Sequence, residues 1–153
     1  ACSQDQPLEK SLEQIKNLID RIIKKPDFHP ISINLAGCKL SRNVNAVNIF
    51  LQYCAQEHIV RRIEALDIAF NQLSYLPQKI QDLIYLKELS IGENPISNHE
   101  SLEFISSLHR LEFLSLNRME LYELPQKMEN LKQLKMVYLS QNFLDKRVLC
   151  SST

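Results

Sequence analysis

Apolar positions recur along the chain in one eleven-slot pattern, with hydrophobic residues in slots 1, 4, 6 and 11 and an asparagine in slot 9. The clearest copy has Ile63, Leu66, Ile68, Asn71 and Leu73. Five copies share the pattern, although Pro30 fills slot 1 of the first. The other four copies are Ile33, Leu35, Cys38 and Leu40; Leu86, Leu89, Ile91, Asn94 and Ile96; Leu111, Leu114, Leu116, Met119 and Leu121; and Leu134, Val137, Leu139, Asn142 and Leu144.

Slots 4 to 6 of each copy alternate between apolar and other residues, and this alternation predicts a short strand with one buried face. A single copy cannot bury that face alone, so stacked copies would pair their strands side by side and share one core. Slot 9 recurs after 23 residues between Asn71 and Asn94, and after 33 residues between Cys38 and Asn71. The first unit is therefore the longest.

Two segments have helical periodicity instead. Residues 7–25 place apolar side chains on one stripe, and Pro26 ends the helix. We interpret it as a cap over the first strand, although the basic residues Lys16, Arg21, Lys24 and Lys25 leave a membrane-surface helix as an alternative. Residues 43–57 predict a second helix inside the long first unit.

The pattern resembles the leucine-rich repeat family over residues 30–145. Leu76-Pro77 and Leu124-Pro125 are similar to the 23-residue repeats of intracellular scaffolds and bacterial leucine-rich proteins, while the first repeat is similar to ribonuclease-inhibitor-like repeats. The resemblance implies an α/β fold, a short curved solenoid with a parallel sheet on its concave face and an N-terminal helical cap. The expected domains are a tail (1–6), the capping helix (7–28), five repeats (29–145) and a C-terminal tail or minimal cap (146–153).

The resemblance also implies a ladder of slot-9 side chains that satisfy backbone groups of neighbouring repeats, and it assigns this role to Cys38, Asn71, Asn94 and Asn142. Met119 departs from the family pattern because a thioether cannot donate a hydrogen bond. We therefore expect the ladder to be broken there. After Leu-Pro we expect an extended return segment, whereas the copy with Asn94-Pro95 predicts a short return helix.

Composition excludes several function classes. The 153 residues carry eighteen basic and eighteen acidic side chains, which disfavours nucleic acid as a partner. Two glycines leave no phosphate-binding loop, and no apolar stretch reaches the roughly 20 residues that span a bilayer. Cys54 and His58 lack a third metal ligand nearby in sequence. We predict no enzyme activity, cofactor, metal or small-molecule substrate.

The variable strand slots indicate protein binding, because the resemblance places them on the concave face. Phe113, Met136 and Tyr138 predict one apolar patch on neighbouring strands, beside an acidic zone that includes Glu64 and Glu93. A homodimer through the C-terminal edge strand is a further hypothesis. The complete set of predicted partner-binding residues is Phe113, Met136, Tyr138, Phe70, Asp67, Glu88 and Arg118.

The cysteine spacing predicts free thiols in a reducing compartment. Together with the residue usage, the resemblance implies a bacterial effector that acts on host proteins, in the bacterial or host cytosol. Ala1-Cys2-Ser3 also resembles a lipoprotein cleavage region, so an envelope protein lipid-anchored at Cys2 is an alternative. A third alternative is the recognition part of a larger enzyme system. The bacterial source rests only on Lys, Ile, Asn and Gln usage.

Overall fold

The computed structural model describes residues 7–96 and 99–144 and has a mixed α/β fold. Its single sheet contains five parallel strands in chain order, one from each copy of the sequence pattern. Equal slots lie opposite one another, as Leu66, Leu89, Leu114 and Val137 do along slot 4. The strands are β1 (Ile31–Asn34), β2 (Ile63–Asp67), β3 (Glu88–Ser90), β4 (Phe113–Ser115) and β5 (Met136–Tyr138).

The core lies behind the sheet and consists of the apolar slots. Ile63, Leu89 and Leu114 are at most 2% exposed, and the return segments contribute side chains such as Ile80 and Ile105. Each strand is only three to five residues long, so side-chain burial rather than strand pairing alone must stabilise the sheet. The predicted strands and their inward-facing residues are confirmed.

The described residues form four α-helices: α1 (Leu8–Ile23), α2 (Val44–Cys54), α3 (Glu57–Val60) and α4 (His99–Leu102). The α1 helix buries Leu12 and Ile19, and its contacts with α2 include a hydrogen bond from the Tyr53 hydroxyl to the Asp20 carboxylate. Burial, followed by the Asp20 hydrogen bond, raises the pKa of Tyr53. The helix predicted over 43–57 is shorter in the structure: α2 ends at Cys54, and the separate helix α3 begins at Glu57.

The return segments differ from the prediction in one respect. Pro77 and Pro125 have extended backbone angles, but 3₁₀ helices follow at once, at Gln78–Asp82 and Gln126–Asn130. The tight 3₁₀ turn places the Ile80 side chain in the core within fewer ångströms of chain than an extended segment would need. After the third strand, α4 continues into a 3₁₀ helix at Glu103–Ser107, so the predicted short return helix is present.

The last strand forms one edge of the sheet. Leu134 and Val137 are partly buried, whereas Leu111 and Leu114 in the preceding copy are fully buried. The homodimer hypothesis therefore concerns a strand at the edge of the sheet that the described residues form, and it stays a prediction. Residues 1–6 and 145–153, on which the two predicted tails and Cys2 fall, lie outside the described residues.

The cysteines do not all behave as free thiols. Cys54 is a buried free thiol whose pKa is raised by burial to about 12, so it is a poor nucleophile at neutral pH. Cys38 is disulfide-bonded, and the expectation of a free thiol there is wrong. Within the described ranges, no helix is both long enough and apolar enough to cross a membrane.

Gly92 is expected to tolerate alanine poorly. A Cβ atom at this position would lie 2.8 Å from the backbone oxygen of Asn117, which accepts a hydrogen bond from Glu93. Gly92→Ala should lower the free energy of unfolding by about 1–3 kcal/mol, because the backbones that follow β3 and β4 must separate to relieve the overlap. Urea denaturation followed by circular dichroism measures this loss.

Gly37→Ala is the matched control for that prediction. Gly37 has a positive φ of 65°, but no atom lies within 4 Å of a Cβ placed there. Equivalent slots hold non-glycine residues at similar angles, such as Phe70 at 59° and Gln141 at 58°. Its cost should be about 1 kcal/mol or less. Equal losses for both variants would contradict the close contact at Gly92.

Candidate functional site

The exposed side of the five strands forms one continuous surface, here named the sheet face. It contains slots 3 and 5 of each copy, because strand side chains alternate between the core and the outside. A shallow cavity of about 430 Å³ runs across it from β1 to β5. The sheet-face residues are Ser32, Asn34, Ala65, Asp67, Glu88, Ser90, Phe113, Ser115, Met136 and Tyr138.

Three large apolar side chains lie together at the β4–β5 end of the sheet face. Phe113 is directly opposite Met136 in the strand register, and Tyr138 is opposite Ser115, two residues further along. Their exposures are 37%, 46% and 48%, respectively. Paired strands are about 4.8 Å apart, so these side chains form one patch rather than three isolated ones.

The acidic zone is smaller than the sequence suggested. Asp67 and Glu88 form no ion pair within the described ranges, and Glu88 lies directly beside Phe113 in the register. Glu64 instead pairs with Lys87 at 3.2 Å, and Glu93 pairs with Arg118 at 3.5 Å. Only Asp67 and Glu88 therefore offer an unneutralised carboxylate on this surface.

A row of alternating charges borders the sheet face at slot 2. Glu64, Lys87, Glu112 and Lys135 occupy this slot in consecutive copies. Lys135 lies 2.6 Å from Glu112, and its hydrogen bond lowers the pKa of that carboxyl group. The row was not predicted from the sequence, although it is visible when slot 2 is compared across the copies. Exposed pairs of this kind contribute little stability, so the main consequence is a border without net charge.

Phe70 and Arg118 lie three residues beyond the ends of β2 and β4, respectively, rather than on the strands. Both occupy slot 8, where each copy turns with a positive φ: 59° at Phe70 and 53° at Arg118. Phe70 is 61% exposed, and the Arg118 guanidinium is held by Glu93. These two predicted residues are therefore at the rim of the sheet face, past the carboxyl ends of the strands.

Slot-9 asparagines bind neighbouring copies together through buried hydrogen bonds. The Asn94 side-chain oxygen accepts from the backbone N–H groups of Asn71 and Leu73, at 2.9 and 3.0 Å. Its Nδ2 donates to Ile68, Ile91 and Gly92 carbonyls. Asn71 makes the same contacts with Cys38 and Leu40, and Asn142 makes them with Met119 and Leu121.

The ladder is interrupted at Met119, as predicted. Met119 is fully buried, and its backbone N–H donates a hydrogen bond to the side-chain oxygen of Asn142. Its thioether donates no hydrogen bond to the neighbouring copy of the pattern, which contains Asn94. The strand register between β3 and β4 nevertheless continues without a shift. Apolar packing therefore suffices to maintain the register across this step.

No family model matches the chain, and no curated protein matches its sequence. Within residues 7–96 and 99–144, no group of three or more His, Cys, Asp or Glu side chains is arranged to hold a metal ion.

Proposed function

We propose that the chain is a leucine-rich-repeat solenoid that binds a partner protein on its concave sheet face, without catalysis. The observation that carries this proposal is the patch of Phe113, Met136 and Tyr138, exposed beside Glu88. The aligned register of equal slots and the asparagine hydrogen bonds support the repeat assignment.

The patch has the chemistry of an interface centre. Aromatic side chains dominate binding energy where they enter a partner's surface, because much apolar area is buried with little loss of rotamer freedom. Adjacent carboxylates at Glu88 and Asp67 favour a basic group in the partner. We therefore propose a partner segment that presents apolar side chains next to a lysine or arginine.

The test compares the wild type with a triple variant, Phe113→Ala, Met136→Ala and Tyr138→Ala, as immobilised baits in lysates of the source cell and its host. A partner retained by wild type should lose at least about 100-fold in affinity for the triple variant, which corresponds to about 2.7 kcal/mol spread over three truncated contacts. Purified partner and surface plasmon resonance give the ratio.

A second triple variant, Leu18→Ala, Ile49→Ala and Ile84→Ala, is the matched control. These side chains are 50%, 57% and 49% exposed and lie on α1, α2 and a return segment, away from the sheet face. The control should bind as the wild type does. Equal binding by wild type and the sheet-face variant, both folded by circular dichroism, would contradict the proposed site.

An alternative is an envelope protein tethered by lipid at Cys2, and the disulfide at Cys38 favours it. Disulfides persist in oxidising compartments and are rare in the cytosol. Mass spectrometry of protein from native membranes would detect a lipid on Cys2. A lipid-bearing cysteine has no thiol, so peptide mapping that found Cys2 joined to Cys38 would contradict the tether.

A further inference from the structure

A second pocket lies beside α3, away from the sheet face. It has a volume of about 470 Å³ and is lined by Phe28, Glu57, His58, Arg61 and Arg62. We infer that this pocket, here named the α3 pocket, binds an oxyanion such as a phosphate group through Arg62, Arg61 and His58.

Arg62 is the central observation. Arg62 is only 8% exposed, yet its side chain forms no ion pair with any described carboxylate. Its Nε and Nη2 atoms donate to the backbone oxygens of His29 and Asp27, each at 3.2 Å. Apart from the Phe28 ring, the Arg62 guanidinium has only carbonyl partners, so no carboxylate compensates its positive charge, which is a costly arrangement for a buried residue.

One nitrogen of the Arg62 guanidinium is available to a ligand. The two carbonyl contacts use Nε and Nη2, and Nη1 donates no hydrogen bond to the described residues. No buried side-chain nitrogen or oxygen in the described part of the chain lacks a hydrogen-bond partner. Nη1 must therefore be accessible, and the α3 pocket is the space that Arg62 lines.

Neighbouring charges reinforce the attraction. Arg61 and His58 are exposed on the same pocket, and Glu57 is the one acidic residue that lines it. Asp27 lies nearby, but its exposed carboxylate is 4.0 Å from His29, with which it can pair. Two arginines facing one glutamate leave a net positive site. Arginine forks match phosphate and carboxylate oxygens in a bidentate geometry, which favours an oxyanion over chloride.

Phe28 favours anionic ligands in which the anion is attached to an apolar group. Its ring is 63% exposed, and the Arg62 Cζ atom lies 5.4 Å from the ring centroid. An exposed ring beside the cationic groups offers an apolar wall to the organic body of a ligand. A phosphate monoester with a planar ring should therefore bind more tightly than inorganic phosphate.

The test titrates the wild-type chain with inorganic phosphate and with phenyl phosphate at constant ionic strength, followed by amide chemical shifts in NMR. Both should shift residues of the α3 pocket saturably, with phenyl phosphate the tighter. Arg61→Gln combined with His58→Gln should weaken phosphate at least about tenfold, because hydrogen bonds to charged groups are lost. Phe28→Ala should remove only the preference for phenyl phosphate.

Arg110→Gln is the matched control, because Arg110 is an exposed arginine over another aromatic ring, Tyr85, at 4.4 Å. It should bind as the wild type does. The Arg61, His58 and Phe28 side chains are exposed, so these variants should fold, and circular dichroism checks this. The inference is overturned if the wild type shows no saturable shifts in the α3 pocket, or if the Arg61 and His58 double variant binds phosphate as tightly as Arg110→Gln.

Discussion

Replacing Leu89 with alanine is expected to lower the free energy of unfolding by about 2–5 kcal/mol. Leu89 is 2% exposed, and it lies in slot 4 of β3, with Leu66 on one side and Leu114 on the other. Its removal leaves a cavity in the middle of the sheet's inner face, where neighbouring strands are fixed by their own pairing and cannot collapse inward. Chemical denaturation at several protein concentrations measures the loss and excludes a contribution from association.

Leu18→Ala is the control for this prediction. Leu18 is 50% exposed on α1, so the same chemical change should cost less than about 0.5 kcal/mol. A loss below about 0.5 kcal/mol for Leu89→Ala would show that slot 4 does not face the core. The proposed repeat register would then be wrong.

Asn94→Ala should cost about 3 kcal/mol, although it removes less apolar volume than Leu89→Ala does. The side chain is fully buried, and its oxygen is the acceptor for the backbone N–H groups of Asn71 and Leu73. Truncation leaves both donors without a partner inside the protein, at about 1–3 kcal/mol for each unsatisfied group. Two such donors together give about 2–6 kcal/mol, and partial relaxation and entering water keep the total in the lower half of that range.

Two other asparagine-to-alanine variants serve as comparisons for the loss of stability in Asn94→Ala. Asn142→Ala removes equivalent hydrogen bonds from a partly buried site, so water can replace them and the loss should be smaller. Asn130→Ala, at an exposed position, should be nearly neutral. Hydrogen exchange at the Asn71 and Leu73 amides should accelerate in Asn94→Ala. Unchanged exchange there would contradict the role of Asn94 as their acceptor.

The apolar part of the sheet face could be predicted from sequence because it depends only on slot number. Once slot 4 of a copy is buried, slots 3 and 5 must face outward, and equal slots in successive copies become neighbours. Phe113, Met136 and Tyr138 therefore come together whatever their own side-chain conformations. The charges could not be predicted in this way. Whether Glu93 stays free depends on the reach of Arg118, 25 residues further along the chain.

The α3 pocket could not be predicted from the sequence. Arg62 and Phe28 are 34 residues apart, and neither belongs to a repeated slot with a recognisable role. They meet because β1 and β2 pair side by side, which brings the segment before β1 against the segment before β2. The only sequence feature that indicates the α3 pocket is the arginine pair Arg61-Arg62, and such a pair is typical of ordinary surface charge.

The hydrophobic pattern of the sequence was enough to predict the short strands, their side-by-side stacking and the inward-facing slots, since an apolar residue at a fixed spacing has only one face on which to be buried. The parallel sheet and the interruption at Met119 were expected only from the resemblance to a known repeat family. The three-dimensional arrangement was needed to show which carboxylates are neutralised, how the Leu-Pro segments turn and that Arg62 is buried without a counterion. Those outcomes depend on distances between side chains of different copies, and periodicity does not specify such distances.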